Sequence, residues 1–221
     1  MRTAPRDERQ TRMILLILGG SALVVVAAVL GFLFLGGGSD ADADAATQIR
    51  ESGCTFETLP AAPNLRFKGQ QLPRHVPALP KGFKYNSNPP TSGIHTDTTV
   101  IFGIYDEPVP AISSVHNLEH GAVVIRYGPD VAASEVEKIR EFYLDNPNGL
   151  VVAPMSGLGK TIALTAWTYD QSRKSDRKYE GEGRLAKCSR FDEDVFNTFV
   201  DTYRGHGPEA FTVDQLLPGR G

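Results

Sequence analysis

The chain has 221 residues, with 23 Lys and Arg against 26 Asp and Glu, a formal net charge of −3 and only two cysteines. That length holds one domain of ordinary size and something more. The acidic balance argues against a nucleic-acid partner, since a surface that binds phosphates needs an excess of Lys and Arg.

The surplus lies at the N-terminus. Residues 13–35 carry no charged side chain and are nearly all Ile, Leu, Val, Ala, Gly and Phe, a run long enough to cross a bilayer as a helix. Arg2, Arg6, Arg9 and Arg12 precede it, and Asp40, Asp42 and Asp44 follow. The positive-inside rule then predicts residues 1–12 in the cytoplasm, a lipid-embedded helix over 13–35 and an extracytoplasmic remainder, so a single-pass protein of the cell membrane. A cleaved signal peptide is the competing reading, because Ala-Asp-Ala repeats follow the run. The run exceeds the roughly 7–15 residues of an ordinary signal core, which favours the uncleaved anchor. A lipid attachment at Cys54 lacks the apolar residues it would need just before the cysteine.

Cys54 and Cys188 are the only cysteines, and this topology puts both where disulfides persist. One bridge is expected, tying the start of the folded domain to the start of its last helix. Closing so long a loop is worth roughly 4–5 kcal/mol at most in the chain-entropy model. A metal-binding thiolate pair is the weaker alternative, as neither cysteine has a cysteine neighbour.

Residues 36–50 are Gly, Ala and Asp with little that could pack, and read as a flexible spacer. The extracytoplasmic domain is expected over 51–211, with a loose tail at 212–221. Seven prolines from Pro60 to Pro90 forbid a long helix or a central strand, which leaves an extended arm. That arm carries His75 and ends in Tyr85-Asn-Ser-Asn-Pro-Pro-Thr-Ser-Gly-Ile-His95, a succession of turns. Strand composition returns at Thr98–Tyr105 and is ended by Pro108 and Pro110. His116 and His120 mark one helical turn that Gly121 stops, and a strand follows at 122–127. A helix capped by Asp130 or Ser134 repeats Val136, Ile139, Arg140 and Tyr143 on one face, and Asn146-Pro-Asn-Gly149 ends it. Residues 150–153 and 161–167 read as a hairpin, 170–183 as a loop, and Asp192–Tyr203 as a helix with Val195, Phe196 and Phe199 inward. The order predicts an α+β fold, an antiparallel sheet of about four strands with two helices on one face, in a permuted ferredoxin-like arrangement.

Two neutral imidazoles four residues apart share a helix face and can chelate one transition-metal ion. A surface or hydrogen-bonded pair is the plainer alternative for His116 and His120. The string His116-x-x-Glu119-His120 also fits inverted zinc proteases, but those need it inside a substantial helix, and Gly121 cuts this one short. Glu119 is instead placed to orient a histidine by hydrogen bonding. Met155 offers a thioether to copper, against the plainer role of core or rim packing. Ser156-Gly-Leu-Gly-Lys-Thr161 imitates the end of a phosphate loop, yet Pro154 stands where its first glycine belongs and a strand follows, so no nucleotide is expected. His206, between two glycines at a helix end, reads as an exposed residue.

Several strings together resemble a bacterial family, the domain of unknown function 3105. They are Arg-His75-Val, Asn86-Ser-Asn-Pro-Pro-Thr-Ser-Gly-x-His95, Val115-His-x-Leu-Glu-His-Gly121, Ala153-Pro-Met155, Ala163-Leu-Thr-Ala-Trp167 and Cys188 before Phe191-Asp-Glu. The likeness covers roughly residues 50 to 211. It implies a membrane-anchored, extracytoplasmic protein with no established activity, in which His75, His95, His116 and His120 hold motif positions. Thr96 departs from the aromatic that often follows the histidine matching His95, so the resemblance leaves no aromatic wall there.

The combined expectation is a metal-binding or metal-handling domain for copper or zinc. Imidazoles 75, 95, 116 and 120 are the ligands, with Glu119 and Met155 behind them. The alternative is a scaffolding or interaction module of the cell envelope with an unidentified protein partner, and a metal-assisted hydrolase comes third. A closed four-histidine shell favours binding over hydrolysis, because a catalytic zinc keeps a water-bearing position, and no catalytic residue is assigned.

Overall fold

The computed structural model describes residues 37–221. The expected anchor at 13–35 and its flank at 1–12 lie outside the described residues. Among the described residues no helix is long and apolar enough to cross a membrane.

The first element corrects the expectation of a flexible spacer. Residues Gly37–Glu51 form helix α1, and its Ala45, Ala46 and Ile49 are buried in the main core. Alanine has the strongest helix propensity, and one turn of buried apolar side chains is enough to dock the helix end.

Strands follow at β1 (Thr55–Pro60), β2 (Arg66–Phe67), β3 (Gln70–Gln71), β4 (Gly103–Ile104), β5 (Val123–Tyr127), β6 (Leu150–Pro154), β7 (Ile162–Thr168) and β8 (Glu182–Cys188). Helices α2 (Ala111–Glu119) and α3 (Ala133–Asp145) flank β5, and α4 (Glu193–Tyr203) follows β8. Six strands make one sheet in the order β1-β8-β7-β5-β6-β4, while β2 and β3 form a separate ribbon. The sheet is mixed, with β6 running parallel to both β5 and β4 and the other pairs antiparallel. It is larger than the four antiparallel strands expected.

Two features of the strand pairing account for the difference. Strands β6 and β7 are not a hairpin, because each pairs with β5 from opposite sides and the turn at 156–160 carries the chain across β5. Strands β1 and β8, which pair with each other over six rungs, lie almost wholly in stretches assigned no element, β1 just before the arm and β8 just after the loop at 170–183. Most of Thr98–Tyr105 is not strand either, since the backbone N–H and C=O of Val100 bond the side-chain amide of buried Asn117 at 2.9 and 2.7 Å. The tail is docked rather than loose: Leu216 is buried, its carbonyl accepts from Gly149 N, and Phe102 O accepts from Gly219 N.

Alternation along β5 divides the molecule into layers. Val123, Ile125 and Tyr127 join Ile139, Phe142, Phe196 and Phe199 in one core, under α1, α3 and α4. Val124 joins Val115, Leu118, Val151 and Trp167 in a second core on the opposite face, under α2. Helices therefore cover both faces, in place of the expected two helices on one face of a ferredoxin-like sheet, because a sheet flanked by parallel crossovers buries both sides. Arg126 points to the α2 side, where it donates to Val109 O and Ser114 Oγ and pins the first turn of α2. Burial lowers its pKa to about 10.

Cys54 and Cys188 are joined with Cα atoms 4.5 Å apart. The bridge lies one rung beyond the Thr55–Lys187 pair, so it staples two neighbouring strands rather than reaching α4.

Candidate metal centre

Helix α2 is only nine residues long, and its last residues carry the chemistry. The helical repeat puts His116 and Glu119 on the face turned toward the proline-rich arm. His120 is the C-cap, and Gly121 leaves the helix at φ 94°. A Cβ on Gly121 would stand 3.1 Å from Gly205 Cα and Gly207 N. Glycine is needed there both for the left-handed turn and for the close approach of the chain after α4.

The arm brings the other two histidines. His75 and His95 sit side by side in an isolated parallel bridge, with Val76 N donating to His95 O and His95 N to Arg74 O, both at 2.7 Å. The turn-rich stretch before His95 is held by buried Asn64, whose Nδ2 donates to Asn86 Oδ1 at 2.7 Å and Ser92 O at 3.1 Å. Gly93 packs so closely on Asn64 that a Cβ would lie 2.4 Å from the Asn64 Cβ. Tyr85 Oη closes the loop by donating to Ile94 O at 2.6 Å. The Pro-Pro-Thr-Ser-Gly string thus builds a rigid cradle that delivers His95, which is fully buried.

Four side chains converge, with one ligand-type atom each from His75, His95, His116 and Glu119 all within 4.8 Å of one another. His95 Nε2 is 3.0 Å from Glu119 Oε2, and His75 Nε2 is 3.6 Å from the same oxygen. Donors of a tetrahedral ion with bonds of about 2.0–2.1 Å stand roughly 3.3 Å apart, so these two distances bracket the spacing an ion needs. Arg74 takes the other carboxylate oxygen, Nη1 to Glu119 Oε1 at 2.6 Å, and reaches Glu180 Oε2 with Nη2 at 2.8 Å. Trp167 supplies an aromatic wall from β7: it meets His95 edge-on at 6.2 Å and lies under the Arg74 guanidinium. Its Nε1 donates to Glu180 O. Thr96 turns aside to Ser113 Oγ.

Two features of the polar bookkeeping are unusual. His95 Nδ1 faces the Gly93 carbonyl at 2.7 Å, an atom that only accepts, so Nδ1 carries a proton, and in the neutral ring Nε2 presents its lone pair to a carboxylate. That contact is repulsive unless a second proton or a cation lies between them. His116 Nδ1 is buried with no hydrogen-bond partner from the protein, and such an atom is ordinarily satisfied by a bound water or an ion.

The electrostatics agree. Burial lowers the His116 pKa to about 4, helped by His95 and His120 and opposed by Glu119, so the ring is neutral and one nitrogen keeps a free lone pair at neutral pH. Burial works against the charge on Glu119, but in the metal-free chain, with a proton on His95 Nε2, the hydrogen bonds from His95 and Arg74 outweigh it and hold the carboxyl at about 2; an ion would take the place of that proton. Neutral imidazole and ionised carboxylate are the forms that ligate metals.

The convergent group differs from the set of four histidines expected. His120 lies beside His116, with ring centroids 4.6 Å apart, but its Nε2 bonds Glu209 Oε2 at 3.1 Å and its ring stacks on Phe211. It stands outside the convergent group, and burial lowers its pKa against the pull of Glu209. This geometry also removes the inverted-protease arrangement, in which both histidines of the string would share the ion. Glu119, expected behind the histidines, belongs to the convergent group. Met155 packs with Leu158, Ala163 and Leu185 in a separate cluster, and His206 is exposed. Arg74, Glu180 and Glu209 were missed; only the position of Arg74 next to His75 hinted at any of them.

The family model described as "Protein of unknown function (DUF3105)" matches residues 78–215, well over half of the chain. The chain belongs to the DUF3105 family. No curated protein matches and no solved structure matches. The DUF3105 match contains His95, His116, Glu119 and His120, and begins three residues after His75.

Proposed function

We propose that this DUF3105 protein binds or handles one transition-metal ion, copper or zinc, through His75, His95, His116 and Glu119. The observation that carries the reading is the His95–Glu119 pair, where an imidazole with its proton fixed on Nδ1 by Gly93 O turns Nε2 to a carboxylate. An ion in the group accepts both lone pairs and also partners His116. Three imidazole nitrogens and one carboxylate oxygen suit copper and zinc, and are a poor shell for Ca²⁺ or Mg²⁺, which want oxygen. The proposed setting is the outer face of the cell membrane, with residues 13–35 as a lipid-embedded anchor and residues 1–12 in the cytoplasm. The arginine cluster before the apolar run supports that orientation.

The test is uptake of Cu²⁺ or Zn²⁺ by the full-length protein purified without a His-tag. Binding that His116→Ala abolishes supports the reading, and no uptake by the wild type refutes it.

A second reading has its own support. Every Glu119 oxygen already has a partner without an ion, Arg74 on one side and His95 on the other. If His95 carries both protons, the cluster is a charged network bracing an interaction module of the envelope. In that case His116→Ala leaves metal content unchanged at zero and alters stability alone.

A further inference from the structure

We infer that His75 is the exchangeable donor of the ion site, and that the coordination position it fills takes an imidazole brought from outside the chain. This rests on the metal reading above, and the experiment below separates the two.

The four donors are not equivalent. The His75 side chain is 48% exposed, whereas those of His95 and Glu119 are 0% and 2% exposed. His95 is fixed through both ring nitrogens, and Glu119 through both oxygens. His116 is fixed by burial on α2. Among the described residues His75 has only the 3.6 Å approach of Nε2 to Glu119 Oε2, longer than a hydrogen bond, and ring contacts with His95 and His116. Three donors therefore form a buried, oriented half-shell, and the fourth closes it from the solvent side.

The backbone at this position does not depend on the ring. Val76 N and Arg74 O hold the strand against His95 by main-chain hydrogen bonds, and the Arg74 side chain is anchored on Glu119 and Glu180. Rotation of the His75 ring into water, or its removal, leaves the half-shell assembled. A ring already half in water loses little by turning, so an ion can be offered to an incoming donor without dismantling the buried three.

The chemistry of the vacated position defines the newcomer. A divalent ion with Glu119 retains one positive charge, and Arg74 beside it is matched by Glu180. The position was shaped for a flat neutral ring standing about 4.9 Å from the rings of His95 and His116. An imidazole meets those conditions. Free imidazole or histidine is one source, and a histidine side chain of a protein that delivers or receives the ion is the other.

The test uses the full-length tag-free protein loaded with Cu²⁺, with His75→Ala and His75→Gln compared to wild type by visible and EPR spectra during titration with imidazole and with a blocked Gly-His-Gly peptide. Expected is copper retained in both variants with affinity lowered by about 10–100-fold, against loss of binding in His116→Ala. Imidazole should convert the variant spectra toward the wild-type spectrum at lower concentration than it perturbs wild type. Rescue by imidazole alone assigns a small-molecule donor; equal rescue by the peptide assigns a protein histidine. The inference is overturned if wild type binds copper but either folded variant loses it as completely as His116→Ala. It is equally overturned if copper-loaded variants ignore both donors. A wild type that takes up no ion removes the metal reading itself.

Discussion

Glu119 is shared: its Oε2 stands 3.0 Å from His95 Nε2 while its Oε1 stands 2.6 Å from Arg74 Nη1, at a side-chain exposure of 2%. Glu119→Gln keeps the shape and removes the charge. The neutral amide cannot offer an ion an anionic oxygen, and Arg74 keeps only Glu180. Copper or zinc affinity should fall roughly 100-fold or more, and the metal-free protein should lose about 1–2 kcal/mol of stability, since Arg74 exchanges a charge-assisted hydrogen bond to a carboxylate for one to a neutral amide. Calorimetry and thermal melts of the variant check both numbers.

Arg74 orients that carboxylate without being a ligand. In Arg74→Met the four donors remain but Glu119 is free to turn, so ion affinity should drop by about 10–100-fold, the usual effect of removing a group that positions a ligand. The same variant leaves Glu180 and the Trp167 face without their cation. An unchanged affinity would show that Glu119 is held by its histidines alone.

Acid should weaken the metal-free fold in two steps. His116 titrates near 4 in the folded chain against an ordinary value of 6.5, so the unfolded chain binds more protons between those limits. Stability is therefore complete above about pH 6.5 and declines as pH falls toward 4. Glu119 titrates near 2 against an ordinary 4.5, so its contribution is complete above about 4.5 and is lost as pH falls toward 2. The groups facing His116 are His75, His95, His120 and Glu119. Melting temperatures across this range check the prediction, and His116→Phe should remove the upper step while leaving the lower one.

The disulfide belongs to the fold and not to the site. Cys54 and Cys188 lie in the core under α1, α3 and α4, on the opposite face of the sheet from α2. Replacing both by Ser should cost about 2–4 kcal/mol, a fall of several degrees at roughly 2–4 °C per kcal/mol for a domain of this size. Ion stoichiometry should not change. Melts and metal analysis of the double variant decide this together.

Much of the local structure was legible because it is written in local chemistry. Asp192 caps α4 through Val195 N, the periodicity of Val136, Ile139 and Tyr143 marks α3, and the β-branched runs mark β5, β6 and β7. What escaped was set by pairing at long range. Strand β1 is completed by β8, more than 120 residues away, and the apparent hairpin of β6 and β7 is split by β5. Among the site residues, the spacing of His116 and His120 pointed to a shared face, but the helix ends between them and Glu209 claims the second ring. The pair that faces the arm is His116 with Glu119, one turn apart at three residues. Glu180 comes from the loop before β8, and only the folded sheet brings it to Arg74.

The most direct test of the central claim is the metal content and binding isotherm of the full-length protein, tag-free, near neutral pH. The account predicts about one equivalent of copper or zinc in wild type and in His206→Ala, and its loss in His116→Ala and His95→Ala, with His120→Ala weakening uptake only modestly. Binding of neither ion more tightly than about 10 µM, or a His206→Ala protein as impaired as His116→Ala, would contradict it.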